Sequence, residues 1–237
     1  MRLILASASP RRRELLSRLE ISFEIVTSQV DERPARPGED PRDYSLVLAD
    51  EKAAEVAARM PDALVLGADT VVAIDTHILG KPADGFESAA MLRLLRGRRH
   101  EVVTSIVLRA HSGRLSASVT AEVEMRPFGE TEMMEYVRTG ESLDKAGAYA
   151  VQGLGGRLVA RVHGCYLAVV GLPLCETVRL LRASEVTVQD ETWCSFCPEQ
   201  RTLMSKSTPG TQVLESCPQS RESEFPRPRP ARESRGE

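Results

Sequence analysis

An aspartate inside an apolar run is the first residue in this chain whose placement asks for a reason. Asp69 sits in "VLGADTVV", and a carboxylate there is costly to bury unless something pairs with it. It lies at a strand end, is salt-bridged in the core, or is placed for use. The glycine and alanine before it leave room for close approach of a ligand. Lys81, in "ILGKP", reads alone as a solvated strand-end lysine. The run "ALVLGADTVVAID" turned back through "TH", however, returns Lys81 toward the end of the strand that carries Asp69. A carboxylate and an ammonium can then share one cleft.

Two further stretches carry suitable chemistry. In "SASPRRR", residues 7–13, backbone N–H groups at a helix start combine with guanidinium groups, the local arrangement an anion needs. The alternative is a solvent-facing charge cluster. In "DKAGAYAVQGLGG" glycines flank Gln152, which reads as a mid-strand glutamine. It either satisfies a backbone group or presents an amide donor and acceptor to a nucleobase edge. Glu32 in "VDER" and Lys52 in "ADEKAAEVA" pass as ordinary surface charges, and spacing alone does not select them. No histidine cluster, nucleophile elbow, phosphate-binding loop motif or dinucleotide fingerprint appears, so acyl transfer, that phosphate chemistry and dinucleotide redox lack support.

The elements that must hold these residues follow from pattern. Arg2 to Ala6 reads as a short buried strand. Ser9 and Pro10 cap and start a helix that ends near Glu20, with Leu15, Leu16 and Leu19 on one face. "FEIVTSQV" reads as a second strand, Asp43 to Met60 as a helix, and Ala89 to Leu95 as another closed by Gly97. "HEVVTSIVLRA" and "LSASVTAEVEMRPF" form a long hairpin turned at "HSGR". A helix at "TEMMEYVRTG", a hairpin through His163 and Gly164, and a helix around Cys175 to Leu181 complete the pattern. The expected fold class is α/β, a mixed twisted sheet flanked by helices, because interleaved helices argue for parallel pairing and hairpins for antiparallel.

The 237 residues, 42% hydrophobic and 27% charged, suit a single globular domain with an appendage. The domain is expected over residues 1–188 and a disordered tail over 189–237. From Asp190 on, the last 48 residues hold six of the fourteen prolines and no isoleucine, too little apolar surface to offset ordering entropy. A net charge of −3 gives no overall bias toward nucleic acid or an anionic membrane, and a nucleic-acid patch on Arg11 to Arg13 lacks aromatic company. No apolar run reaches the roughly 20 residues a bilayer requires. Five cysteines, at 165, 175, 194, 197 and 217, are an odd and scattered set. They suit a reducing compartment, and the expected location is cytoplasmic. The pair in "CSFC" reads as incidental.

In order, "LASASPRRRELL", "VDE", the lysine of "ADEKA", "GADTVV", "GKP", "DKAGAYAVQGLGG" and "VVGLPL" resemble the Maf family of nucleoside triphosphate pyrophosphatases over residues 2–183. The set looks most like the branch that hydrolyses dTTP and UTP; the branch acting on N7-methylated GTP shows a glutamine after the catalytic aspartate. The resemblance implies two lobes around a deep cleft, similar to the inosine triphosphatase fold. It implies hydrolysis of a nucleoside triphosphate to monophosphate and pyrophosphate with a divalent metal cation (Mg, Mn or Co). By the same resemblance Asp69 is the proton acceptor, and Glu32 is its acidic partner near metal and phosphates. Lys52 and Lys81 face phosphate, and Ser9, Arg11 and Arg12 bind substrate in the first loop. Arg11, Thr70 and Gln152 match positions tied to base choice, and Arg13 belongs to the solvated face. The partner implied is a small-molecule nucleoside triphosphate, with a homodimer as the assembly and neither nucleic acid nor membrane. A different role proposed for such proteins is a nucleotide-binding regulator of cell division or septum formation acting through a partner.

Overall fold

The computed structural model describes residues 2–111 and 113–189. Residues 190–237, all but the first residue of the expected disordered tail and with it "CSFC", lie outside the described residues. The strands are β1 (Arg2–Leu5), β2 (Glu24–Ile25), β3 (Ala63–Ile74), β4 (His77–Leu79), β5 (Arg99–Ala110), β6 (Gly113–Met125) and β7 (Val159–His163). The helices are α1 (Pro10–Ser17), α2 (Pro41–Arg59), α3 (Gly85–Leu95), α4 (Glu130–Arg138), α5 (Tyr166–Val170) and α6 (Leu174–Ala183). All strands join one seven-stranded sheet in the order β2-β1-β3-β5-β6-β7, with β4 added to β3. β1 pairs in parallel with β2 and β3, and every other pairing is antiparallel. The sheet is therefore mixed, as the interleaved pattern predicts.

Strand β3 organises the molecule. On one edge β5 covers it from Val65 to Ala73. On the other edge β1 pairs only with Ala63 to Leu66, and β4 only with Val72 to Ile74. Between them, Gly67 to Val71 have no strand partner on that edge among the described residues. This gap divides the sheet edge into two lobes and opens a cleft of about 580 Å³.

The period of two along β3 sends alternate side chains to opposite faces. Leu64, Leu66, Ala68, Val72 and Ile74 join the larger core, with leucines from α1 and α3 and residues of α4 to α6. Ala63 and Val65 pack under α2 with Ala49, Ala53 and Val56, and Val71 packs under Tyr44 and Leu48. Asp69 has the same parity as the second set and Thr70 the same parity as the first. One Asp-Thr dipeptide thus serves both faces.

α2 starts two residues earlier than the apolar pattern predicts, because Asp40 accepts hydrogen bonds from the N–H groups of Arg42 and Asp43 and Pro41 occupies the first helical position. Gly67 lets this helix lie directly on β3. A Cβ there would collide with the carbonyl oxygen of Ala49 and come 2.8 Å from the Ala53 Cβ. The small residue expected to make room for a ligand instead makes room for α2.

Other local expectations need correction. The "FEIVTSQV" strand shrinks to Glu24 and Ile25, because its partner β1 ends at Leu5. The first helix stops at Ser17, with Glu20 in left-handed conformation beyond it. The β3–β4 turn falls at Asp75 and Thr76, since Ile74 pairs with His77. No hairpin forms through His163 and Gly164. Gly164, at φ +97°, turns the chain away from β7 into α5.

Candidate active site

All nine residues singled out from the sequence line the cleft: Ser9, Arg11, Arg12, Glu32, Lys52, Asp69, Thr70, Lys81 and Gln152. They arrive from different elements and do different things.

The charged centre lies on the α2 face. Lys52 occupies the buried stripe of α2 between Leu48 and Val56, and its Nζ meets Asp69 Oδ1 at 2.6 Å and Glu32 Oε1 at 2.7 Å. Lys52 and Asp69 are only 9% and 6% exposed, so this pair is nearly dry, while Glu32 meets the same ammonium from the open side of the cleft. Burial pushes the Glu32 carboxyl up. The hydrogen bond and charge of Lys52, aided by Lys81 and Arg12, outweigh this and hold it below the usual carboxylate range. Lys81 stands 3.9 Å from Glu32 and is well exposed, so its nearest acidic partner is Glu32 and not Asp69. Lys52 contacts Asp69 through Oδ1, and no hydrogen bond ties Oδ2 among the described residues.

The loop carrying Glu32 is pinned from behind. Arg33 stacks 4.9 Å over the Tyr44 ring, the Tyr44 hydroxyl donates to the Arg33 carbonyl at 2.7 Å, and Arg33 forks onto the Glu39 carboxylate. Glu39 also accepts from the Arg36 N–H, and its carboxyl is held down to about 2 by Arg33 first and that N–H second.

On the other face Arg12 acts as a clamp. Its Nε donates to the Gly171 carbonyl at 2.9 Å, and its two terminal nitrogens donate to Ser7 Oγ at 3.2 Å and Thr70 Oγ1 at 3.0 Å. Thr70 continues to Thr104 at 2.8 Å, and Thr104 donates to the Ala168 carbonyl at 2.7 Å. Burial pulls the Arg12 guanidinium below its ordinary value, with Asp69 the main opposing influence. With all three nitrogens engaged, Arg12 joins α1, β3 and the α5–α6 link, while Arg11 lines the cleft without a hydrogen bond of its own among the described residues. Ser9 accepts from the Arg12 N–H as the helix cap.

Gln152 is not in a strand. It lies in extended conformation between two short 3-10 turns, Ala146–Ala148 and Gly153–Leu158. This wall reaches the rest of the cleft through Gly147, whose N–H donates to the Gly80 carbonyl at 3.0 Å, beside Lys81. Sequence reading missed Lys145, which also lines the cleft, and the supporting Ser7 and Thr104. Lys52 had an overlooked signal: it stands at the 44, 48, 52, 56 spacing of an otherwise apolar helix stripe.

The chain is similar to known proteins over most of its length. The family model described as Maf-like protein matches residues 2–184. The chain belongs to the Maf family. A protein of Anaeromyxobacter dehalogenans named dTTP/UTP pyrophosphatase is 51% identical over 185 residues, covering 76% of this chain and 93% of that protein. Proteins of the same name from Geobacter metallireducens and Myxococcus xanthus are 47% and 51% identical, over 76% of this chain and 95% and 90% of theirs. Among solved structures, the Staphylococcus aureus Ham1 protein matches with a TM-score of 0.39 at 14% identity, over 78% of this chain and 98% of that one. That likeness is too loose to carry an argument. No helix among the described residues is long and apolar enough to cross a membrane.

Proposed function

We propose that this Maf protein hydrolyses dTTP and UTP to the monophosphate and pyrophosphate, with modified pyrimidine triphosphates as further candidates. The observation that carries the reading is the convergence of Glu32 and Asp69 on the buried Lys52, in a cleft also lined by Lys81 and Arg11. The names of its relatives support the choice of substrate. A triphosphate brings close to four negative charges, and phosphoryl transfer needs positioning and charge neutralisation more than covalent chemistry. Lys52, Lys81 and Arg11 supply the cations, while Arg12 holds the walls in register. Water adds across the α–β phosphoanhydride, Asp69 accepts its proton, and pyrophosphate departs.

The acid pair fits a divalent cation completed by substrate oxygens. Lys52 brings the two carboxylates together at its ammonium, and no group of three potential ligands exists among the described residues, so the remaining ligands would come from substrate. Magnesium sites of that kind use one or two carboxylates plus phosphate. Glu32 and Asp69 would hold the ion, which when bound neutralises phosphate charge and acidifies water. Gln152 offers its amide to O4 and N3–H of uracil or thymine, a donor-acceptor pair that cytosine inverts. A regulator acting through a partner would not require two acids to share one ammonium.

The deciding experiment is a screen of canonical and modified nucleoside triphosphates with Mg, Mn and Co, scoring pyrophosphate against orthophosphate. Pyrophosphate from dTTP and UTP is expected, and Asp69→Asn should lower the rate about 10²- to 10⁴-fold, the usual contribution of a general base. Orthophosphate as the product, or a fully active Asp69→Asn, would overturn the reading.

A further inference from the structure

Glu141 lies outside the set of cleft-lining residues, yet two parts of the glycine-rich wall are fastened to it. Its Oε2 accepts from the Leu154 N–H at 3.1 Å and its Oε1 from the Gly155 N–H at 3.0 Å. These are the second and third residues after Gln152. The Tyr136 hydroxyl on α4 also donates to Oε1, at 3.4 Å. The carboxylate fits only because Gly153 lacks a side chain: a Cβ there would stand 2.8 Å from Oε2. Gly153 also takes φ +77°, so the turn that follows Gln152 is shaped around the acid. Through its main chain Glu141 reaches a cleft-lining cation, since Lys145 Nζ donates to the Glu141 carbonyl at 2.7 Å and pairs with Asp144.

We infer that Glu141 is a positioning residue for base selection, holding the turn that sets Gln152 while its carbonyl orients Lys145. The inference rests on the pyrimidine triphosphatase reading. A carboxylate accepting two adjacent backbone N–H groups gives stronger, more directional bonds than a neutral acceptor. Without them the 153–155 turn has no fixed partner for those donors, and Gln152 loses its set direction. Discrimination between uracil and cytosine should suffer before the chemical step does.

The test compares kcat and KM for UTP and CTP in the wild type, Glu141→Gln, Glu141→Ala, Tyr136→Phe and, as a control on the exposed side of α4, Glu135→Gln. Glu141→Ala should raise KM for UTP about tenfold, the scale of losing a charged hydrogen-bond acceptor, with a smaller fall in kcat. The UTP-to-CTP ratio of kcat/KM should narrow with it. Glu141→Gln, which keeps the shape but only one acceptor, should fall between, and Tyr136→Phe, which removes a single hydroxyl, should move least in the same direction. The control should match the wild type. A wild type that releases no pyrophosphate from UTP defeats the functional reading itself. An active wild type with an unchanged UTP-to-CTP ratio in the Glu141 and Tyr136 variants, or a fall confined to kcat, overturns the role of Glu141 alone.

Discussion

On the α2 side of the cleft, chemistry is carried by side chains of long regular elements: Lys52 from a 19-residue helix and Asp69 from a 12-residue strand. On the opposite side, between α4 and β7, the wall is made of short 3-10 turns and glycines, and the backbone does much of the holding. The first wall is charged, with Lys52 and Asp69 buried at its base. The second is shaped by left-handed glycines at 147 and 153 and by one carboxylate. Rigid elements fix where Asp69 and Lys52 stand, a pinned loop brings Glu32 to them, and the opposite loop wall can vary to select what enters.

The largest effect should come from breaking the charged wall at its centre. Lys52→Met leaves Glu32 and Asp69 facing each other without the ammonium both contact. Removing one partner of a buried ion cluster typically costs about 3–5 kcal/mol, and the half-exposed position of Glu32 argues for about 3. The pH dependence gives this a sign. Glu32 is held below its ordinary value of 4.5. In the wild type its stabilising contribution is therefore present above that value and is lost as pH falls through the lower folded one. In the variant the carboxyl rises, protonation begins at higher pH, and the penalty shrinks on acidification. Urea denaturation at pH 7 and pH 5 should show a smaller difference between the two proteins at pH 5. An equal difference at both would mean that Lys52 acts by packing and not by charge.

A second comparison sets the two walls directly against each other. Gly67→Ala drives a Cβ into the backbone of α2, on both sides of Lys52, at Ala49 and Ala53. Gly147→Ala meets only the Val72 side chain, at 2.9 Å, although its φ of +68° adds strain. Both should cost about 1–3 kcal/mol, by overpacking in the first and backbone strain in the second. Their catalytic effects should differ. Gly67→Ala shifts the helix that holds Lys52 against Asp69 and should depress kcat, whereas Gly147→Ala should act mainly on KM by loosening its link to Gly80. Steady-state kinetics on dTTP decides it, and identical kcat-to-KM patterns would dissolve the contrast between the walls.

The same contrast explains what could be read from the sequence. Asp69 stood out because a charge within an apolar strand violates the local pattern, and the gap in β3 pairing then gave that violation a place in a cleft. Lys52 was equally legible by helical periodicity, yet a lysine among many surface charges drew no attention without its stripe. Arg12 was not legible as a clamp, since its partners Thr70 and Gly171 lie 58 and 159 residues away. Gln152 reads from the sequence as a mid-strand residue, but β7 begins only at Val159 and no neighbouring strand among the described residues is available to it. The acceptor for the turn after it, Glu141, sits 11 positions earlier in a segment with no pattern of its own.

His100 offers the finest test of how the loop wall is supported. It is 3% exposed on β5, its Nε2 shares a 2.7 Å hydrogen bond with the Tyr149 hydroxyl, and its Nδ1 has no hydrogen-bond partner among the described residues. Tyr149 in turn lines the cleft. Burial pulls the imidazole from 6.5 down to about 4, so the folded protein keeps it neutral where the unfolded chain would protonate it. Between those two values the unfolded state binds the extra proton, and stability falls as pH drops by up to about 3 kcal/mol. His100→Gln keeps a group able to bond the Tyr149 hydroxyl but cannot titrate. Its stability should decline less steeply than the wild type's between pH 6.5 and 4, and the two curves should run parallel above pH 7. Parallel curves throughout would remove His100 from the acid response and leave the carboxylates of the charged wall as its source.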